Sequence, residues 1–231
     1  MARQERAIRT RKAILAAAAE VFDDVGYEAA TISEILKRSG LTKGALYFHF
    51  ASKEELAQGV LDAQVGGLPA VPAHELHLQM SIDEAVLLAR LLQKGTGDPI
   101  VQGSMRLTVE QGGPKDLLDR RVPVEGWLVH TTELFEKAKA AGEILPHVDL
   151  ARVVKVFVAA FTGVQVLSGI LTGREDLQER VLDFYSYLMS AIASPAVLAR
   201  LDFSLQRGEW VYEEAMKQHR AQEDTAAAAR T

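Results

Sequence analysis

The chain has 231 residues, 48% hydrophobic and 25% charged, with a formal net charge of −5 and no cysteine. That length can bury a substantial core in one or two domains, and the absence of cysteine excludes disulfides, thiolate metal centres and cysteine nucleophiles. The basic, amphipathic start lacks the apolar core of a signal peptide, and no charge-free apolar run has membrane-spanning length, so a cytoplasmic protein is expected.

The acidic total hides an asymmetry. Residues 1–60 hold nine Lys/Arg against eight Asp/Glu, whereas 61–231 hold seventeen against twenty-three. Arg3, Arg6, Arg9, Arg11 and Lys12 crowd the first twelve positions, opposed by Glu5 alone. By itself such a run reads as a solvated surface; beside a DNA-reading module it supplies the positive field that phosphate contact needs.

A first helix is predicted from about Ala7 to Asp24, with Ile8, Ile14, Leu15, Ala18 and Phe22 as its apolar stripe and Gly26 as its stop. Tyr27 is expected in the core. Thr31 followed by Glu34 spells a capping box, so a short helix should open there, burying Ile32, Ile35 and Leu36 and ending at Gly40. Thr42 then caps a second short helix within Thr42-Lys43-Gly44-Ala45-Leu46-Tyr47-Phe48-His49-Phe50. Two short helices joined by a glycine turn form a helix-turn-helix, whose second helix enters a DNA major groove. Thr42 and the free amides of that helix suit a phosphate, Lys43 adds charge, and Gly44 lets the backbone approach the duplex. Tyr47 and His49 present polar tips, while Ala45, Leu46, Phe48 and Phe50 are expected to pack inward.

A fourth helix should begin at the box Ser52-Lys53-Glu54-Glu55 and run through Leu56, Val60 and Leu61 to Gln64, stopping at Gly66-Gly67. The Gly/Pro-rich stretch 66–72 is the clearest break in the chain. It sets a DNA-binding domain at 1–65, a helical ligand-binding and dimerisation domain at 66–220, and a disordered tail at 221–231. Within the second domain, Ser81-Ile82-Asp83-Glu84 is read as a box opening a helix through Leu92. Asp98-Pro99 opens another, closed by Gly112-Gly113-Pro114. Pro123 opens the next, closed by Gly142. Asp149 caps a long apolar helix from Leu150 to Leu171, ended by Gly173. Further helices are expected at about 175–193, from 196 towards 205, and at 207–220. No segment alternates like a strand, so the fold class is all-α.

Residues from about Arg9 to Leu61 resemble the DNA-binding domain of TetR-family transcriptional repressors. The likeness rests on Ile14-Leu15-Ala16-Ala17-Ala18, Phe22, Gly26-Tyr27, Thr31-Ile32-Ser33-Glu34-Ile35, the run from Gly40 to Phe50, and Ser52-Lys53-Glu54. The opening Met1-Ala2-Arg3-Gln4-Glu5-Arg6-Ala7, with features further on, is similar to the γ-butyrolactone-receptor branch of actinobacteria, autoregulator receptors that repress antibiotic-production and differentiation genes. The resemblance implies a homodimer paired through its last two core helices into a four-helix bundle, bound to a pseudo-palindromic operator. The expected DNA-binding set is Arg3, Arg6, Thr31, Thr42, Lys43, Gly44, Tyr47, His49 and Lys53.

The Leu150–Leu171 helix is apolar almost all round and needs partners on more than one side. One face suits a pocket, the other a twin subunit. Polar residues interrupting apolar helices are the candidates for ligand contact: Gln64, Thr108 beside Met105, Trp127, and Thr162 and Gln165 beside Phe161. The resemblance implies a pocket tryptophan at Trp127 and a signalling lactone, a γ-butyrolactone or butenolide, as ligand. Helix four would link reading head to pocket, and ligand would favour a dimer whose two heads no longer match successive major grooves.

Other functions have weaker support. His74-Glu75-Leu76-His77 hints at metal but lacks the H-E-x-x-H spacing and a third ligand. No glycine-rich phosphate loop and no G-x-S-x-G elbow occurs, so neither an enzyme nor a cofactor is expected. A related pseudo-receptor answering to an antibiotic is the alternative, which the isoelectric point near 5.7 disfavours because such proteins tend to be basic.

Overall fold

The computed structural model describes residues 2–110 and 117–228. Among them are eleven helices and no strand, apart from an isolated bridge between Ile144 and Ala193. The chain divides into two compact units. One is built on Met1–Leu68 and Gly97–Val124, the other on Pro69–Thr96 and Glu125–Ala226.

The first unit contains α1 (Ala2–Ala29), α2 (Ile32–Ser39), α3 (Lys43–His49), α4 (Lys53–Gly67) and α6 (Pro99–Val109). Its helices open as their sequence signals dictate. Thr31, Thr42 and Ser52 each accept a hydrogen bond from the amide three residues on, at 3.2, 3.2 and 3.1 Å. Asp98 does the same for Val101 ahead of Pro99 (3.1 Å). Gly40 takes the left-handed conformation that closes α2. The core is continuous, with Ile14, Phe22, Ile35, Leu46, Phe50, Leu56 and Leu61 packed together.

Three details differ from expectation. Helix α1 begins at Ala2 and not Ala7, so the basic residues of the first twelve positions ride on a helix. Gly26 breaks it with φ 78° and ψ 174°, and a last turn follows to Ala29. Helix α6, which the sequence boundary assigned to the second domain, packs along α1 in the first unit. The contact is close because residue 103 is glycine: a Cβ there would lie 2.4 Å from the Ala19 carbonyl oxygen. The Gly112-Gly113-Pro114 stop lies outside the described residues, and α6 ends at Val109.

The second unit holds α5 (His77–Leu91), most of α7 (Arg121–Ala140), α8 (Leu150–Thr172), α9 (Leu177–Ile192), α10 (Pro195–Leu198) and α11 (Leu205–Ala228). The box read at Ser81 is not a helix start. Ser81 and Asp83 are buried inside α5, where Ser81 meets the Tyr185 phenol and Asp83 pairs with Arg207. Helix α5 opens four residues earlier because the Glu143 carboxylate accepts the His77 and Leu78 amides (2.9 and 2.8 Å), a cap delivered from far along the chain. Pro123 lies in the first turn of α7, not at its first residue. Helix α8 starts at its Asp149 cap and ends at Gly173 with φ 64°, as predicted. Helix α10 is one turn long and stops well short of Leu205. The stretch expected to be a disordered tail is helical through Ala228, in keeping with the helix propensity of its alanines; residues 229–231 lie outside the described ones.

Candidate nucleic-acid interface and ligand-facing residues

Helix α3 turns one face inward and one outward. Leu46 and Phe50, four residues apart, are buried, whereas Thr42, Lys43, Gly44 and Tyr47 are exposed and His49 is half-exposed. The Lys43 ammonium lies 5.8 Å from the centre of the Tyr47 ring, so charge and aromatic surface are presented together. Nothing lies within 4 Å of the position a Cβ would take on Gly44, which leaves that stretch of backbone open to a bulky partner. Thr42 uses its oxygen as an acceptor for the helix, and its hydroxyl proton remains able to donate to phosphate. Thr31, also exposed, has the same arrangement on α2.

Phe48 departs from the sequence reading. The sequence places it inward, yet it is 78% exposed, with its ring at right angles to that of His49 and 5.0 Å between centroids. Helical phase accounts for this: Leu46 and Phe50 share the inner side, and a residue two positions from each points away. Tyr47 and Phe48 therefore stand side by side on the outward surface, apolar area suited to sugar edges and thymine methyl groups.

The other predicted residues divide. Arg6 is exposed on α1, and Arg3 lies on the same helix with its side chain outside the described residues. Arg11 is stacked 4.9 Å above the Phe50 ring. Lys53, expected in the DNA-binding set, is engaged within its own unit. Its ammonium donates to the carbonyls of Tyr27, Glu28 and Ala30 at 2.8, 3.3 and 3.1 Å and sits 4.5 Å from the centre of the Tyr27 ring. All three of its protons are thus committed to closing the end of α1.

The ligand-facing candidates fall in both units. In the first unit Gln64 is 2% exposed; its Oε1 accepts from Ser104 Oγ (2.7 Å), and its Nε2 has no partner among the described residues. Thr108 donates to the Ser104 carbonyl (2.8 Å), so Gln64, Ser104 and Thr108 form one polar line on α4 and α6, with Met105 buried beside it. Ser104 had no sequence signal, since a serine inside an apolar helix carries no spacing rule.

In the second unit Trp127 is half-buried, edge-on to His130 (6.3 Å between centroids). His130 Nε2 in turn meets Glu84 Oε2 at 2.8 Å, which raises the imidazole pKa above its usual value. Phe161, Thr162 and Gln165 follow one another along α8. Thr162 donates to the Val158 carbonyl (2.9 Å), leaving its oxygen only as an acceptor. Gln165 is 1% exposed, and both its Nε2 and Oε1 lack a partner among the described residues.

His74 and His77, whose spacing hints at metal, are otherwise engaged. His74 Nδ1 accepts from the Leu76 amide (3.0 Å) and His77 Nδ1 lies 2.9 Å from Glu143 Oε1. Among the described residues no group of three His, Asp or Glu side chains is placed to hold a metal ion.

Comparison with known proteins gives a consistent picture. The model of the tetR family of bacterial regulatory proteins matches residues 14–60. The chain is 38% identical over 204 residues to the A-factor receptor protein of Streptomyces griseus, covering 87% of this chain and 70% of that one. Its fold matches full-length TylP, a TetR regulator from Streptomyces fradiae, with TM-score 0.85 and 58% identity over 91% of this chain and 99% of that one. A γ-butyrolactone receptor described as ArpA-like matches with TM-score 0.67 and 26% identity over 90% and 99% of the two chains.

Proposed function

The chain belongs to the TetR family of bacterial regulatory proteins, and from that premise we propose that it is a ligand-responsive transcriptional repressor binding a pseudo-palindromic operator as a homodimer. The observation that carries this reading is the outward face of α3, where Lys43, Gly44, Tyr47 and Phe48 lie open beside a capped helix-turn-helix. Thr42, Lys43 and Arg6 hold phosphate; Tyr47, Phe48 and His49 meet the groove. No catalytic role is proposed, and a repressor of this kind works in the cytoplasm.

Dimerisation follows from α8 and α9. Val156, Leu167, Ile170 and Leu171 form an exposed apolar face on α8, with Ile170 at 74%, and Tyr187 on α9 is 80% exposed. Side chains of this kind left in water favour an isologous contact, and a twofold pair carries two reading helices to two half-sites.

The ligand is a signalling lactone of the γ-butyrolactone or butenolide type, in line with the named functions of the relatives. Within the second unit, Trp127, Thr162 and Gln165 are the polar groups offered to it. Ligand binds better to a dimer whose heads are spaced wrongly for successive major grooves, with a coupling of about 1–3 kcal/mol.

Fluorescence anisotropy with a labelled operator duplex tests both halves of the reading. Lys43→Ala and Tyr47→Ala weaken binding while sedimentation still reports a dimer, and Lys43→Ala flattens the salt dependence. Full affinity in both variants would remove α3 from the interface. A γ-butyrolactone titrated into the wild-type complex releases the duplex; unchanged binding at saturating lactone would remove the switch.

A further inference from the structure

Gln165 is the residue whose chemistry is left open. Helix α8 buries Val154, Phe157, Gln165 and Ser168, which are spaced three, eight and three residues apart and so share one side. Val156, Leu167, Ile170 and Leu171 occupy the other side and are exposed. Gln165 therefore points into its own protomer, away from the face that a twin subunit covers. Phe157, about 12 Å earlier on the same side, packs edge-on against Phe135, Phe184 and Tyr185 at 4.7, 5.8 and 5.3 Å between centroids.

The polar neighbours of Gln165 on α8 are satisfied. Ser168 donates to Asp176 Oδ1 at 2.6 Å, Thr172 reaches the same oxygen at 2.7 Å, and Thr162 donates to its own helix at 2.9 Å. Gln165 alone among them keeps a whole carboxamide unpaired, with Nε2 and Oε1 both buried. A buried donor and acceptor left unmet carry the full penalty of leaving water, and a folded protein retains them where something else completes them.

We propose that the Gln165 carboxamide is the polar anchor of the ligand site in the second unit, and that it selects a ligand carrying a hydroxyl next to a carbonyl oxygen. The ligand hydroxyl donates to Oε1 while its carbonyl accepts from Nε2. A hydrocarbon, or a lactone with no hydroxyl near its carbonyl, leaves one half of the amide unmet. This deepens the lactone-responsive reading and rests on it for the existence of a ligand, but it specifies a functional-group pair and not a ring.

The test uses the full-length dimer, titrated calorimetrically with three probes: a γ-butyrolactone whose alkyl chain bears a hydroxyl beside the ring, the matched lactone without that hydroxyl, and an open-chain β-hydroxy ketone of equal length. The wild type prefers the hydroxylated lactone to its deoxy partner by about 100-fold or more, as expected of a site built to bond that hydroxyl. Gln165→Leu and Gln165→Met reduce the preference to about threefold or less while still binding operator, which reports an intact fold. Both variants also melt higher than the wild type when ligand-free, because they remove the unmet amide. If neither lactone binds but the hydroxy ketone does, in a manner that Gln165→Leu abolishes, the lactone reading fails and the anchor stands. Equal binding of hydroxylated and deoxy probes by the wild type, or an unchanged preference in both variants, overturns the anchor. So does the absence of hydroxyl-dependent binding with either ligand class.

Discussion

The reading head and the second unit hold their helices in different ways. In the head, Thr31, Thr42, Ser52 and Asp98 cap the helices they precede, each through an amide three residues on. In the second unit the decisive ties cross the chain. Glu143 caps α5 from 66 and 65 residues away, Arg207 neutralises Asp83 at a separation of 124, and Gln79 meets the Asp202 backbone at 123. Local ties make a module that forms early and can be read as spelling; distant ties make one whose parts are stable only once the whole has closed. A head with fixed, self-capped geometry suits a rigid DNA reader. Ties that depend on global packing suit a body that adopts two arrangements.

The contrast predicts that removing distant ties costs more than removing local ones. The largest loss is expected from Arg207→Ala, which strands the Asp83 carboxylate, with a side chain only 2% exposed, at a cost of about 3–5 kcal/mol in urea unfolding. Pairing it with Asp83→Leu should recover much of the loss, since no buried charge then remains unpaired. Next comes Glu143→Ala, which orphans the His77 and Leu78 amides and should cost about 2 kcal/mol or more. Thr31→Ala in the head removes one exposed cap bond and should cost about 1 kcal/mol. Were Thr31→Ala to cost as much as Arg207→Ala, the distinction between the two units would be lost.

The same contrast explains what was legible in the sequence. Capping residues and glycine stops sit within four residues of what they control, so α2, α3, α4 and α8 could be bounded from spelling alone. The Ser81 box misled because its letters match a cap while Asp83 answers to Arg207, and nothing near position 81 signals that. Phe48 was misassigned through composition, an aromatic taken for core, although its phase relative to Leu46 and Phe50 pointed outward. Lys53 stands in the expected DNA-binding set, and the carbonyls it closes, those of Tyr27, Glu28 and Ala30, are invisible in the sequence. The unmet amide of Gln165 could be named as a polar interruption, but its isolation needed coordinates.

The smallest effect is expected where the second unit behaves like the head. Asp176 precedes α9 yet does not cap it; its carboxylate accepts from Ser168 and Thr172 at the end of α8, and from Arg180 at 2.6 Å. The two hydroxyls, with help from the guanidinium, hold its pKa down to about 2 from an ordinary 3.8. A carboxyl held below its unfolded value stabilises the fold fully above that unfolded value, and the benefit is lost as pH falls from about 4 towards 2. His130 has the opposite sign. Its bond to Glu84 raises it above 6.5, so its contribution is present below that pH and fades as pH rises through the raised value. Melting curves collected from pH 3 to 9 separate the two: Asp176→Asn should flatten the acid limb alone, and His130→Gln the neutral limb alone. An acid limb unchanged in Asp176→Asn would mean that the tie between the end of α8 and the start of α9 does not couple folding to pH, and the local ties of the second unit would then differ from the distant ones in strength alone.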